Sequence, residues 1–200
     1  MTLDRFRPVA DRALTPFVDV ADALGLTPDG VSVIAFLCAL AAGGAFAVAE
    51  SVYYVAGAVL VFANGWLDLV DGALARRLDA SSPGGDLLDH VLDRYADIVI
   101  IVGLAAGAGA YLLGFLAVTG VLMTSYLGTQ IQAVGLGREY GGALGRADRL
   151  ALVGVAGVVA AAVPGELVAG RTVVELLLVA FAVVGHLTAV QRFYGARSDL

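Results

Sequence analysis

The chain has 200 residues, of which 60% are hydrophobic and only 15% charged, and its mean hydropathy is +0.88. That composition excludes an ordinary soluble domain and places the chain among membrane proteins. The formal net charge is -6, and all 12 basic residues are arginine, so there is no basic surplus of the kind that binds nucleic acid, which is not an expected partner.

The first 30 residues carry Asp4, Asp11, Asp19, Asp22 and Asp29 and lack a continuous apolar run, so no cleavable signal peptide is expected there. Residues 1–27 read instead as a juxtamembrane amphipathic helix lying on the bilayer, with Phe6, Val9, Leu14, Phe17 and Val18 for its apolar side. Thr27 can then cap, and Pro28 open, the helix that follows. Six apolar segments come next, at 31–49, 52–74, 87–108, 112–134, 150–163 and 173–190, approaching or reaching the roughly 20 residues that span hydrocarbon. The fifth is short, and its start is expected in the loop before it. The expected architecture is an all-α integral membrane protein with one domain over 1–200, its six-helix bundle lying within 31–193. Arg5, Arg7, Arg12, Arg76, Arg77, Arg138, Arg146, Arg149, Arg192 and Arg197 fall at the two termini or in the loops after spans two and four. By the positive-inside rule that side, with both termini, faces the cytoplasm, which predicts a multi-pass protein of the cell membrane.

Carboxylates stand where lipid should be. Asp68 and Asp71 share a helix face with Gly72 and Ala75, and Gly85, Asp89 and Asp93 form a second stripe on the next helix. A charge at the bilayer centre costs on the order of 2.5–3.5 kcal/mol even on lenient scales, so four acids in this short stretch require a counter-charge. Four convergent carboxylates suit Mg²⁺ or Mn²⁺, and the glycines and alanine leave room for a ligand beside the metal. Arg76 adds a planar positive fork suited to phosphate. Farther on, Arg146 and Arg149 flank the start of the fifth span and Arg192 ends the sixth, all on the aspartates' side; three arginines around one pocket would bind a phosphate monoester.

Written as a pattern, the segment is D-x-x-D-G-x-x-A-R, eight residues, then G-x-x-x-D-x-x-x-D, filled by Asp68, Asp71, Gly72, Ala75, Arg76, Gly85, Asp89 and Asp93. This resembles the signature of the CDP-alcohol phosphotransferases, integral membrane enzymes of phospholipid synthesis. The resemblance implies that Asp68, Asp71, Asp89 and Asp93 hold a pair of divalent metals that bind the diphosphate of a CDP-linked lipid. It implies that Asp68, Gly72, Ala75, Arg76 and Gly85 receive the nucleotide diphosphate, and that Asp93 is also the base taking the proton from an acceptor hydroxyl. Ser125-Tyr126, Gly135-Leu136, the run from Gly145 to Leu150, and Gln191-Arg192 are similar to the branch making phosphatidylinositol phosphate or its ether-lipid counterpart. The resemblance implies inositol phosphate as the favoured acceptor; that branch often has basic residues where this chain has Gly128, Thr129 and Gln130, so glycerol phosphate stays a second candidate. Family members are generally dimers, and Gly103 to Gly107, a small-xxx-small element, fits a homodimer surface and intramolecular packing equally.

Among the remaining polar groups, Asp86 and Asp97 lie at helical spacing from the second stripe and are candidate supporting groups, whereas Asp79 is expected to face water. His90 lies one position off the stripe and is expected to pack, His186 to hydrogen-bond a neighbouring helix, and Gly135 to Gly142 to form a loop over the acceptor. Intramembrane acids also mark cation transporters, but here they are confined to one helix-turn-helix and the later half has no matching set.

Overall fold

The computed structural model describes residues 7–137 and 144–200, with side chains from 13 onward. Arg5, Phe6, Arg138, the side chains of Arg7, Val9 and Arg12, and most of the glycine-rich stretch therefore lie outside what is described. Within them the chain is helical: α1 (Arg7–Ala23), α2 (Pro28–Val48), α3 (Ser51–Arg77), α4 (Pro83–Gly107), α5 (Tyr111–Ala133), α6 (Arg146–Ala162) and α7 (Val173–Asp199).

Four of these, α2, α3, α5 and α7, are long and apolar enough to cross a membrane. The other two of the six expected spans are marked by their charges and length: α4 carries Asp86, Asp89, Asp93, Arg94 and Asp97, and α6 has 17 residues.

Local signals set the helix ends. Thr27 Oγ1 accepts from Gly30 N–H at 3.1 Å with Pro28 in the first turn of α2, and Ser82 does the same for Gly85 at 3.1 Å with Pro83 opening α4. The fifth expected segment begins at Arg146, inside the preceding loop, because the Asp148 carboxylate reaches back to Gly145 N–H at 3.0 Å and satisfies the first turn. Thr172 and Glu175 form a reciprocal capping box at the start of α7.

Helices approach closely where both lack side chains. A Cβ on Gly103 would fall 2.1 Å from the Gly43 carbonyl oxygen, so α2 and α4 cross with backbones touching. Gly107 meets the Phe46 carbonyl in the same way, so the small-xxx-small element serves packing within the chain. Around this crossing Phe46, Leu104, Leu178 and Phe181 form the main core. A second cluster joins Leu14, Val18 and Ala21 of α1 to Val31, Val70 and Leu74. The expected apolar side of α1 is thus divided: Leu14 and Val18 are buried against α3 and the start of α2, while Phe17 is 51% exposed and sets its ring edge-on to Trp66 at 5.3 Å. Arg77 at the end of α3 pairs with Asp19 and Asp22 of α1.

Candidate active site

Helices α3 and α4 follow one another across the turn 78–82, and carboxylates from both converge. Asp68, Asp71 and Asp89 each offer a carboxylate oxygen, and the three oxygens lie within 4.8 Å of one another. Asp71 is buried and accepts from Ser32 Oγ of α2 at 2.6 Å. Three carboxylates this close, one of them 6% exposed, repel one another unless a cation joins them, and an all-oxygen donor set fits Mg²⁺ or Mn²⁺. Asp93 is not one of these three but shares Arg146 with Asp68. Its Oδ1 lies 2.7 Å from Arg146 and its Oδ2 3.4 Å from Arg94.

Two cavities flank the acids. The first, of about 210 Å³, is lined by Asp71, Gly72, Ala75, Arg76, Gly85 and Asp89, with Asp29 and Ser32 of α2 on its far wall. Its small residues leave space that a side chain would fill: a Cβ on Gly85 would come within 3.2 Å of Asp29 Oδ1, and one on Gly72 within 3.4 Å of the Arg76 guanidinium. The second, of about 810 Å³, is lined by Asp68, Asp93, Arg94, Arg146, Arg149 and Arg192, with Thr124 and Ser125 of α5. Asp68 faces this second cavity while belonging to the carboxylate cluster of the first. The aspartates therefore form the partition between a glycine-lined and an arginine-lined chamber.

The three expected arginines come together in that second chamber, each held differently. Arg146 bridges Asp68 at 2.8 Å and Asp93 at 2.7 Å, and its Nη2 lies 3.4 Å from Asn64 Oδ1. Arg149 is buried and bonds Asp97 at 2.9 Å. Arg192 donates to the Thr124 carbonyl at 2.5 Å. All three side chains thus have protein partners as well as a shared cavity.

Several groups escaped the sequence reading. Ser32 lies 39 positions from the aspartate it bonds, and no local pattern announces it. Asn64 is buried, donates to the Ala35 carbonyl at 2.9 Å and lies four positions before Asp68; extending the stripe by one turn would have found it. Arg94 neighbours Asp93 in sequence and reaches Ser125 on α5. Of the secondary candidates, Asp97 is buried among arginines, whereas Asp86 is exposed and Asp79 lies exposed in the turn. His186 lies 3.3 Å from Thr119 of α5, the interhelical bond expected of it, and His90 Nδ1 is 2.8 Å from the Asp86 carbonyl.

The model of one protein family, CDP-alcohol phosphatidyltransferase, matches residues 25–188. The chain is 34% identical over 191 residues to an archaetidylinositol phosphate synthase of Methanothermobacter thermautotrophicus, covering 95% of this chain and 91% of that relative. It is 29% identical over 199 residues to an archaetidylinositol phosphate synthase of Pyrococcus horikoshii, covering 99% and 98%. Its fold matches the crystal structure of Mycobacterium tuberculosis phosphatidylinositol phosphate synthase with CDP-DAG bound, with a TM-score of 0.77 and 25% identity over 92% of this chain and 94% of that one.

Proposed function

The chain belongs to the CDP-alcohol phosphatidyltransferase family, and from that premise we propose that it transfers the lipid phosphate of CDP-diacylglycerol or CDP-archaeol to the hydroxyl of inositol phosphate, releasing CMP. It is an enzyme of phospholipid biosynthesis. The observation that carries the acceptor is the arginine-lined chamber on the far side of the aspartates from the glycine-lined one. A phosphorylated polyol matches four guanidiniums better than free inositol or serine would. Similarity along nearly the whole chain to archaetidylinositol phosphate synthases supports the same acceptor.

In this reading Gly72, Ala75 and Gly85 give the cytidine diphosphate room, and Arg76 faces its phosphates. Asp68, Asp71, Asp89 and Asp93 would hold two divalent ions, Mg²⁺ or Mn²⁺, which when bound neutralise charge on the diphosphate and on the departing CMP. Arg146, Arg149 and Arg192 bind the acceptor phosphate and set its hydroxyl against Asp93. The hydroxyl oxygen attacks the phosphorus that carries the lipid, and a new P–O bond forms. The bond from that phosphorus to the oxygen bridging toward cytidine breaks, CMP leaves with that oxygen, and the hydroxyl proton passes to the Asp93 carboxylate.

A soluble acceptor and a membrane lipid can reach one site only at the bilayer's edge. We therefore read α2 to α7 as six spans of the cytoplasmic membrane, with α1 on its inner surface and the chambers opening to the cytoplasm. The arginine distribution supports that orientation. A homodimer is the expected assembly. The test is CMP release by detergent-purified protein given a CDP-lipid and Mg²⁺, with inositol phosphate, glycerol phosphate, free inositol and serine compared. Turnover with inositol phosphate is the expected result; turnover only with serine or free inositol would overturn the acceptor.

A further inference from the structure

No step above uses Asp97, yet it is among the most deeply placed charges in the molecule. It lies on α4 one turn beyond Asp93, so Gly85, Asp89, Asp93 and Asp97 form a single i,i+4 stripe. Its side chain is 5% exposed. Arg149 bonds its Oδ2 at 2.9 Å, Arg94 Nη1 lies 3.7 Å from the same oxygen, and Arg146 Nε lies 3.9 Å from Oδ1.

One guanidinium would be enough to neutralise a buried carboxylate; here three converge from two helices. Arg146 and Arg149 are two of the arginines assigned to the acceptor phosphate, and Arg94 lines the same cavity and reaches across to Ser125. The Nε atoms of Arg146 and Arg149 are buried without a hydrogen-bond partner, so each fork is oriented by what its terminal nitrogens touch. For Arg149 the short contact is Asp97, its other bond being a 3.5 Å approach to the Leu144 carbonyl. Asp93 shares Arg94 and Arg146 with Asp97. The group that receives the proton and the groups that face the acceptor are thus tied to one carboxylate.

We propose that Asp97 is the positioning residue of the acceptor site: it anchors the guanidinium of Arg149 by a direct hydrogen bond and gives Arg94 and Arg146 a shared counter-charge, so that the acceptor phosphate docks with its hydroxyl at Asp93, and Arg94 is a fourth member of that basic set. The inference rests on the acceptor reading given above. Two effects of removing the charge have opposite signs, which makes it decidable. A cavity one unit more positive attracts phosphate more strongly, whereas arginines released from their anchor bind it less well.

The test uses the full chain in detergent with Mg²⁺. Binding of inositol phosphate is measured by calorimetry and CMP release is followed for wild type, Asp97→Asn and Arg94→Gln, with the melting temperature recorded for each. Asp97→Asn keeps an oxygen for Arg149 and nearly the same volume. It should raise both the Kd and the KM for the acceptor about tenfold, the scale of one hydrogen bond to a charged group, while the CDP-lipid KM and the kcat at saturating acceptor stay within about twofold. Arg94→Gln, at a side chain 30% exposed, should raise the same two constants by a smaller factor. Unchanged or tighter acceptor binding by Asp97→Asn would overturn positioning in favour of charge balance, and a parallel rise in both KM values would make it general distortion. Should Asp97→Asn fail to fold, an unchanged acceptor KM in Arg94→Gln overturns the proposal. Wild-type turnover with a polyol phosphate but no effect of either variant sinks this inference alone. Wild-type turnover only with unphosphorylated acceptors, with no binding of inositol phosphate, sinks the acceptor reading and this inference together.

Discussion

Asp93 differs from the other three acids of the motif in its company. Asp68, Asp71 and Asp89 converge on a point where a cation fits, whereas Asp93 faces the arginine chamber with both oxygens near guanidiniums. A carboxylate in that position is placed to receive a proton from an acceptor held beside it. Asp93→Asn should therefore lower kcat by about 10²–10⁴, the usual contribution of a general base, while CDP-lipid binding measured by calorimetry is largely spared. Asp71→Asn should weaken metal and CDP-lipid together. Ser32 holds Asp71 from α2, and Ser32→Ala should lower Mn²⁺ affinity by roughly 10–100-fold, as loss of a ligand-orienting partner does; paramagnetic resonance of Mn²⁺ titrated into the protein reads this directly. Arg146→Ala and Arg192→Ala should raise the acceptor KM much more than the CDP-lipid KM. Equal effects on the two substrates would remove the arginines from the acceptor site.

At the scale of elements, the site depends on how closely α2, α3 and α4 approach. Ser32 reaches Asp71, and Asn64 the Ala35 carbonyl, because α2 packs along α3. The Gly43 to Gly103 crossing fixes α4 against α2 in turn. Gly103→Ala must push the two backbones apart, at a cost of about 1–3 kcal/mol typical of overpacking, and should lower both melting temperature and activity. Gly44→Ala, one residue from the crossing, would place its methyl where nothing lies within 4 Å and should leave both unchanged, which separates close approach from mere glycine removal.

For the molecule as a whole, two chambers lie beside one cluster of acids, and the proposed function assigns the lipid-linked nucleotide to one and the small phosphorylated acceptor to the other. Chelation should abolish CMP release, and added Mg²⁺ or Mn²⁺ should restore it. The same ions should raise the melting temperature, since a ligand at 100 times its Kd stabilises the folded state by about 2.7 kcal/mol. A melting temperature indifferent to both ions would argue against an ion held by Asp68, Asp71 and Asp89.

Much of this was already present in the linear chain. The spacing of Asp68 and Asp71, then Asp89 and Asp93, states two helix faces, because i,i+3 and i,i+4 residues share a face in any α-helix. Gly72, Ala75 and Gly85 mark room beside the acids for the same reason, and runs of apolar residues set the helix order and most of their limits. Local periodicity cannot report contacts between segments distant in sequence. Ser32 beneath Asp71, Asn64 between Ala35 and Arg146, Leu14 and Val18 turned into α3, and Asp97 amid three arginines each required two helices to meet. Chemical identity is written in residue types at short spacing, whereas the partners that aim those residues are chosen by packing, and packing exists only once the helices have assembled.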